Sequence, residues 1–179
     1  MFKRLMFGVS AAALLMTVAS VAHAQAHFGV SAGVSMPLST FGDAVKSGYN
    51  ASALLSYSMP LSPIGVRAEL GYNRFDYDGG GGNSQIIDGA LNLVVSTPSA
   101  SMIKPYVTGG LGVYRQKASA TGLLGFEATN TKLGFNGGAG ISFGLTGFQT
   151  QLEARYVYIT KESGGDATQY VPISFGILF

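Results

Sequence analysis

The chain has 179 residues, which suits one domain, and only 11% of them are charged, against about 25% in a typical soluble domain. It contains no cysteine, so disulfide bonds, thiol catalysis and iron–sulfur clusters are excluded. With Lys3 and Arg4 set aside as part of an N-terminal leader, 9 of the 11 Lys and Arg remain against 9 Asp and Glu. This neutral balance gives no electrostatic basis for nucleic-acid binding.

The first 24 residues are predicted to be a cleaved secretory signal peptide. A positively charged start is followed by an apolar run at 7–21 and by the Ala-His-Ala cleavage pattern at 22–24. The run is short for a membrane-spanning helix, which needs roughly 20 residues, although a retained anchor is the alternative. Residues 25–179 are therefore predicted to form the mature domain, without a linker or a second domain.

From residue 28 onward the dominant hydrophobic period is two, which is typical of β-strands with one apolar and one polar face. The predicted strands are 28–37, 49–59, 64–77, 85–96, 104–117, 129–143, 148–160 and 168–179. Short connections at 61–63, 97–101 and 144–147 alternate with longer ones at 38–48, 79–84, 118–127 and 161–167. Short turns at one end and longer loops at the other are what an outer-membrane barrel shows, and an even strand count places both termini at the periplasmic end.

The composition favours a barrel that crosses a membrane. Apolar residues make up 47% of the chain, yet no second long apolar run follows residue 24. In lipid, only helices and closed barrels can satisfy all backbone polar groups. We therefore predict an all-β fold, a closed eight-stranded antiparallel up-and-down transmembrane barrel. A soluble periplasmic barrel that binds an apolar ligand is the alternative, because alternation alone does not reveal which face is outside.

Seven charged residues fall on the polar strand faces and are predicted to point into the lumen. An eight-stranded barrel leaves room only for side chains there, and buried charges must be paired. We therefore expect a structural network of mixed sign that plugs the lumen, and a narrow channel for ions or small solutes is the alternative. The predicted members are Arg67, Glu69, Asp88, Arg115, Lys132, Glu153 and Arg155.

No catalytic or metal-binding pattern is evident. The histidines are His23, inside the predicted signal peptide, and His27, so only one histidine remains to activate a serine. No spacing typical of metal ligands occurs. We therefore predict that the protein is not an enzyme and has no cofactor. The glycine run at 79–82 lacks the Lys-Ser/Thr of a phosphate-binding loop and is interpreted as an extracellular loop.

Seven tyrosines are interpreted as members of an aromatic girdle at the two membrane interfaces, with ordinary strand packing as the alternative. They are Tyr57, Tyr72, Tyr106, Tyr114, Tyr156, Tyr158 and Tyr170.

The last strand shows the cleanest alternation, with Val171, Ile173, Phe175, Ile177 and Phe179 on one face. Together with the signal peptide and eight alternating strands, this pattern resembles the small OmpA/OmpX-type outer-membrane β-barrel domains. The resemblance implies that the last strand is the signal read by the barrel-assembly machinery during insertion into outer-membrane lipid. It also implies a role in envelope integrity, adhesion or surface defence, with an unknown extracellular ligand at the four loops.

Overall fold

A computed structural model describes residues 26–59, 62–97, 102–120, 126–161 and 166–179, apart from the side chains of residues 120, 126 and 127. Eight antiparallel strands pair in chain order, and β8 pairs back onto β1, so the predicted closed barrel is confirmed. The strands are β1 Ala26–Leu38, β2 Gly48–Ser58, β3 Ile64–Asp76, β4 Gly82–Ser96, β5 Ile103–Ala120, β6 Phe126–Leu145, β7 Phe148–Ile159 and β8 Thr168–Leu178. Within these ranges, no helix is long and apolar enough to span a membrane.

The connections differ from the predicted ones in three places, and one of them is the predicted loop at 79–84, because β4 already begins at Gly82. The predicted loop at 38–48 contains a short helix, α1 (Ser39–Ala44). Both ends of the predicted loop at 118–127 are strand, because the β5–β6 ladder continues as far as the pair Ala120 and Phe126. Polar residues there suggested a loop, but a strand above the membrane can be polar on both faces. The predicted signal peptide and parts of four connections (60–61, 98–101, 121–125 and 162–165) lie outside the described residues.

The two faces of the barrel wall have opposite polarity. On the outer face, Leu70, Leu111 and Leu133 are 71%, 72% and 67% exposed. On the inner face, Arg67 and Glu153 are only 2% and 3% exposed. An apolar outside and a polar inside suit a barrel surrounded by lipid, and the alternative of a soluble barrel with an apolar interior is therefore wrong.

The two ends of the barrel differ in their connections. We call the end with connections 39–47, 77–81, 121–125 and 160–167 the loop end, and the opposite one the turn end. At the loop end, Gly79, Gly80 and Gly81 have φ of 101°, 80° and 81°, a left-handed conformation that side chains rarely adopt. This explains why the β3–β4 connection is a run of glycines.

The apolar core of the protein lies inside the barrel near the loop end. Phe75 and Ile86 are fully buried there, and Phe41 of α1 packs against them from above. The ring of Phe75 meets the rings of Phe41 and Tyr170 edge-on, with centroids 5.1 and 5.5 Å apart. We call the buried members the loop-end plug: Val45, Phe75, Ile86, Tyr114, Val157, Ile159 and Tyr170.

Candidate functional site

Beneath the loop-end plug, the Glu153 carboxylate is the most heavily hydrogen-bonded group of the lumen. Nη2 of Arg67 donates to Oε1 and Oε2 of Glu153 at 2.9 and 2.7 Å. Arg155 donates to Oε1 through Nε and Nη2 at 2.9 and 2.6 Å. The Tyr106 hydroxyl donates to Oε2 at 2.8 Å. Charge-assisted bonds of this kind are stronger than neutral ones, so this carboxylate holds three side chains in place.

Glu69 completes a ring of four alternating charges. Its Oε2 lies 2.8 Å from Nη2 of Arg155 and 3.9 Å from Nε of Arg67. Each arginine therefore contacts both glutamates, and the ring joins β3 to β7 across the lumen. We call Arg67, Glu69, Glu153 and Arg155 the ion ring. Its side chains are 2%, 6%, 3% and 11% exposed, so the charges are compensated by one another rather than by bulk water.

Asp88 is buried next to the ion ring but belongs to a different set of contacts. Within the described residues it forms no ion pair, and Nδ2 of Asn73 lies 3.4 Å from its Oδ1. Ser35 donates to Asn73 at 2.8 Å, and Asn50 donates to Ser35 at 3.1 Å. Ser174 donates to Asn50 at 2.7 Å. A chain of neutral hydrogen bonds thus connects Asp88 to β1, β2 and β8.

Two of the predicted lumen residues do not join this cluster. Arg115 is exposed and alternates with the buried Tyr114, so it shares the outer face with Leu111 and Val113. Its predicted inward orientation is therefore wrong. The alternation on β5 already indicated this, because Arg115 lies an even number of positions from the outward Leu111. Lys132 is on the inner face but near the loop end, in register with Tyr114. The structure brings together Arg67, Glu69, Glu153 and Arg155, with Asp88 beside them.

Three of the seven tyrosines assigned to a girdle are inside the barrel. Tyr106, Tyr114 and Tyr170 are 6%, 2% and 1% exposed. Tyr106 belongs to the ion ring's hydrogen bonds, and the other two belong to the loop-end plug. Strict alternation on β5 places Tyr106 and Tyr114 on the face opposite to that of Val107 and Leu111. Counting positions along the strand would therefore have shown that both tyrosines point into the lumen.

The neutral polar side chains of the lumen were not among the predicted site residues, although the alternation already placed several of them on the polar strand faces. Buried amides and hydroxyls occupy the inner face on several strands, and single Asn or Ser residues in a strand carry no distinctive signal. They become recognisable only as alternate members of the polar face. They are Ser35, Asn50, Asn73, Ser84, Asn92, Thr108, Asn136, Ser142 and Gln151.

At the turn end the lumen opens into a polar cavity of about 150 Å³. His27, Ser56, Lys104 and Gln151 are among the residues that line it, and Arg67 of the ion ring forms its inner limit. His27 is in register with Ser56, but both glutamates of the ion ring are already paired with arginines. In the part of the chain that the structure describes, no group of three or more His, Asp or Glu side chains could hold a metal ion.

The residues of the predicted assembly signal lie on the outer face of β8 and at its end. Phe175 and Phe179 are 53% and 64% exposed. The backbone of Phe179 exchanges two hydrogen bonds with that of Phe28, at 2.7 and 3.2 Å. Val171, Ile173 and Ile177 share the same face. The pattern seen in the sequence therefore forms a continuous apolar stripe on the outer face of β8, beside β1.

Comparison with known proteins agrees with this architecture. The profile of the family described as "Outer membrane protein beta-barrel domain" matches residues 9–177. A sequence comparison with curated proteins finds no match.

Solved structures show the same fold at low identity. Neisserial surface protein A (NspA) is 18% identical with a TM-score of 0.70, covering 86% of this chain and 95% of its own. The outer membrane enzyme PagL is 16% identical with a TM-score of 0.59, covering 84% and 97%. Ail, the attachment invasion locus protein of Yersinia pestis, solved in complex with the heparin analogue sucrose octasulfate, is 16% identical with a TM-score of 0.51, covering 87% and 99%.

The family match spans nearly the whole chain, and the structure has a closed eight-stranded barrel with an apolar outer face and a charged, filled interior. The protein is therefore a small outer-membrane β-barrel and belongs to the outer membrane protein β-barrel domain family.

Proposed function

We propose that this protein is a structural or interaction protein of the outer membrane rather than an enzyme or an open channel. In this proposal the barrel is a rigid mount with a plugged polar lumen, and its loops contact ligands outside the cell. Residues 1–24 are removed on export, and the last strand, ending at Phe179, directs assembly.

The observation that carries the proposal is the ion ring beneath the loop-end plug. Arg67 and Arg155 bind both Glu69 and Glu153 across the lumen. Above them, Phe75, Ile86 and Tyr170 are 0%, 0% and 1% exposed. A lumen filled first by paired charges and then by apolar side chains supports mechanical closure over conduction.

Conductance in planar bilayers tests the closed lumen. We expect no single-channel current from the wild-type protein, since ions must pass both the ion ring and the loop-end plug. The double variant Arg67→Gln/Arg155→Gln removes both cations of the ion ring, and Lys46→Gln/Lys161→Gln removes two cations at the loop end as its control. A steady wild-type current that only the lumen variant alters would support the alternative, a narrow channel.

Two similar proteins favour interaction over catalysis at the loops. NspA is named as a surface protein, and Ail is named for attachment and invasion and was solved with a heparin analogue. The similarity to the enzyme PagL concerns the fold, and this chain has only His27 available after residue 24. The proposed functions are therefore adhesion, surface defence or envelope integrity.

The loop proposal is tested by replacing residues 39–47, which contain α1, with a Gly/Ser segment of equal length. Bacteria that display the wild-type barrel should adhere to a heparin-coated surface more than bacteria that display the variant. The matched control is the turn-end substitution Lys104→Gln, which should leave adhesion unchanged. Equal adhesion by all three, at equal surface levels, would remove the support for an adhesive loop.

A further inference from the structure

The charged residues that line the polar cavity at the turn end all have the same sign. The cavity has a volume of about 150 Å³, and among the described residues that line it no side chain is Asp or Glu. Its cations are Lys104 and Arg67, and His27 adds a positive charge when it is protonated. The connections around its mouth, at 59–63, 97–102 and 146–147, contain no Asp or Glu either. The cavity is therefore electropositive.

Lys104 carries the unbalanced charge of this cavity. The charge of Arg67, at the inner limit, is offset by the two glutamates of the ion ring. Lys104 lies on the inner face of β5 and forms no ion pair with any side chain that the structure describes. The Ser142 hydroxyl bonds to its backbone carbonyl oxygen at 3.2 Å, a contact that does not involve the ammonium group. The ammonium group is therefore available to an anion in the cavity.

Gln151 provides a second group, and this one is buried. It is 6% exposed and lines the same cavity, and its carboxamide forms no hydrogen bond with the described residues. The side chain lies over Gly176 of β8, where an added Cβ would be 3.2 Å from Nε2 of Gln151. A buried amide without a hydrogen-bond partner is costly, so Gln151 indicates a hydrogen-bonding occupant of the cavity.

The hydrogen-bond donors of the cavity come from four strands around the lumen. His27 on β1 is in register with Ser56 on β2, and in a closed barrel of eight strands β1 lies opposite β5, which carries Lys104. Gln151 approaches from β7. Donors on several sides suit an anion whose oxygens point in several directions, a tetrahedral oxyanion, better than a flat carboxylate. One water molecule needs only about 10–15 Å³, so the cavity has room for such an anion together with some water.

We propose that the turn-end cavity binds one tetrahedral oxyanion of the phosphate class from the periplasmic side. Lys104 supplies the charge, and Gln151, Ser56 and His27 donate hydrogen bonds to the anion oxygens, which are strong acceptors because they are charged. The cavity lies inside the ring of strands, whereas lipid headgroups surround the outer wall, so the ligand is a free anion. The site is at the opposite end of the barrel from the loops and does not depend on their proposed role.

The test is a calorimetric titration with sodium phosphate, at an ionic strength held constant with sodium chloride. The protein is purified from outer membranes in a neutral detergent, and the wild type should bind one phosphate per barrel. Lys104→Gln should weaken binding about fivefold, the effect of one charge at an exposed mouth, and Lys104→Arg should retain most of the affinity. Gln151→Met keeps the length of the side chain and should weaken binding about tenfold, because it removes a buried hydrogen bond to a charged group.

Two control variants remove the same chemical groups far from the cavity. Lys161→Gln removes a positive charge at the loop end, and Gln116→Met removes an amide near the loop end of β5. Both should bind phosphate within about twofold of wild type, because salt screens charges at this distance. Every variant is first checked for a heat-dependent mobility shift on SDS gels, and the two Lys104 variants decide the test if Gln151→Met lacks it.

Four results would overturn the proposal. The first is the absence of phosphate binding by the wild type, or equal binding by the wild type, Lys104→Gln and Gln151→Met. The second is an equal loss in Lys161→Gln, which would show an effect of net charge alone. The third is acetate binding as tight as phosphate binding, which would contradict a tetrahedral ligand. The fourth is binding of dihexanoyl phosphatidylglycerol without binding of inorganic phosphate, which would identify a lipid headgroup as the ligand.

Discussion

The ion ring and the loop-end plug occupy the same inner face of the same barrel, yet they fill it in opposite ways. The ion ring fills the middle of the lumen with two arginines and two glutamates that contact one another. The loop-end plug fills the space above with aromatic and aliphatic side chains such as Phe75 and Ile86. Residues on one strand belong to both regions, since Phe75 follows Arg67 and Glu69 on the inner face of β3.

The difference shows how a narrow barrel can be filled by either chemistry, with different consequences for each. A buried charge is costly once its partner is removed, so the ion ring depends on every member. Apolar side chains lose only contacts and burial when one is trimmed, so the loss is proportionate to the volume removed. The ion ring should therefore respond to a change of a single atom, and the loop-end plug to a change of size.

The largest effect is expected from Glu153→Gln in the ion ring. The substitution keeps the shape of the side chain but leaves Arg67 and Arg155 with Glu69 as their remaining ring partner, and breaking a buried pair in this way costs about 3–5 kcal/mol. The free energy of unfolding, measured with urea in detergent micelles, should fall by this amount. Asp43→Asn, at an exposed carboxylate on α1, should change it by less than about 0.5 kcal/mol. Equal values for the two variants would contradict the importance of the ring.

In the loop-end plug, Phe75→Ala should cost about 3 kcal/mol in the free energy of unfolding. The fully buried ring contacts those of Phe41 and Tyr170, and no polar atom is left without a partner when it is removed. Phe75→Leu keeps most of the volume and should cost less than half as much in the same urea titration. If Leu and Ala are equally harmful, the plug does not respond to volume and the contrast with the ion ring fails.

Substitution of Gly140 tests how tightly the side chains around the ion ring are packed. A Cβ atom at Gly140 would lie 2.5 Å from Cζ and 2.6 Å from the hydroxyl oxygen of Tyr106, which donates to Glu153. The same Cβ would lie 2.7 Å from the backbone oxygen of Leu152, so Gly140→Ala should displace both Tyr106 and the β7 backbone and cost about 1–3 kcal/mol of unfolding free energy. At Gly144, on the same strand, an added Cβ would meet nothing within 4 Å, so Gly144→Ala is the matched control. A similar stability for both variants would show that Tyr106 can move without loss.

The smallest effect is expected where an ion pair lies outside both regions. Lys46 and Asp78 are 3.5 Å apart at the loop end, with side chains 64% and 67% exposed. Lys46→Ala should lower the free energy of unfolding by less than about 0.5 kcal/mol, because water screens exposed pairs. If Lys46→Ala lowered the free energy of unfolding as much as Glu153→Gln does, burial would not explain the difference in strength between the two kinds of ion pair.

The sequence by itself determined the strand positions and the side of the wall on which each residue falls. The period of two is a local property of an extended chain, so alternation around Leu70 or Leu111 identifies the opposite face without any knowledge of the neighbours. Low charge and high apolar content then identified the lipid-facing side. The predicted orientation is wrong at Arg115, which faces outward, and at Tyr106, which is buried inside the barrel. At both positions the alternation indicates the correct face, whereas the prediction followed the residue type, a charge for the lumen and an aromatic ring for the membrane interface.

The tertiary structure alone decided which side chains meet. Arg67 and Glu153 are 86 positions apart in the chain, and their contact depends on the register of all the strands between them and on closure of β8 onto β1. Register and closure are cooperative properties of the whole ladder, and no local pattern encodes them. The same holds for α1, whose Phe41 packs against the loop-end plug.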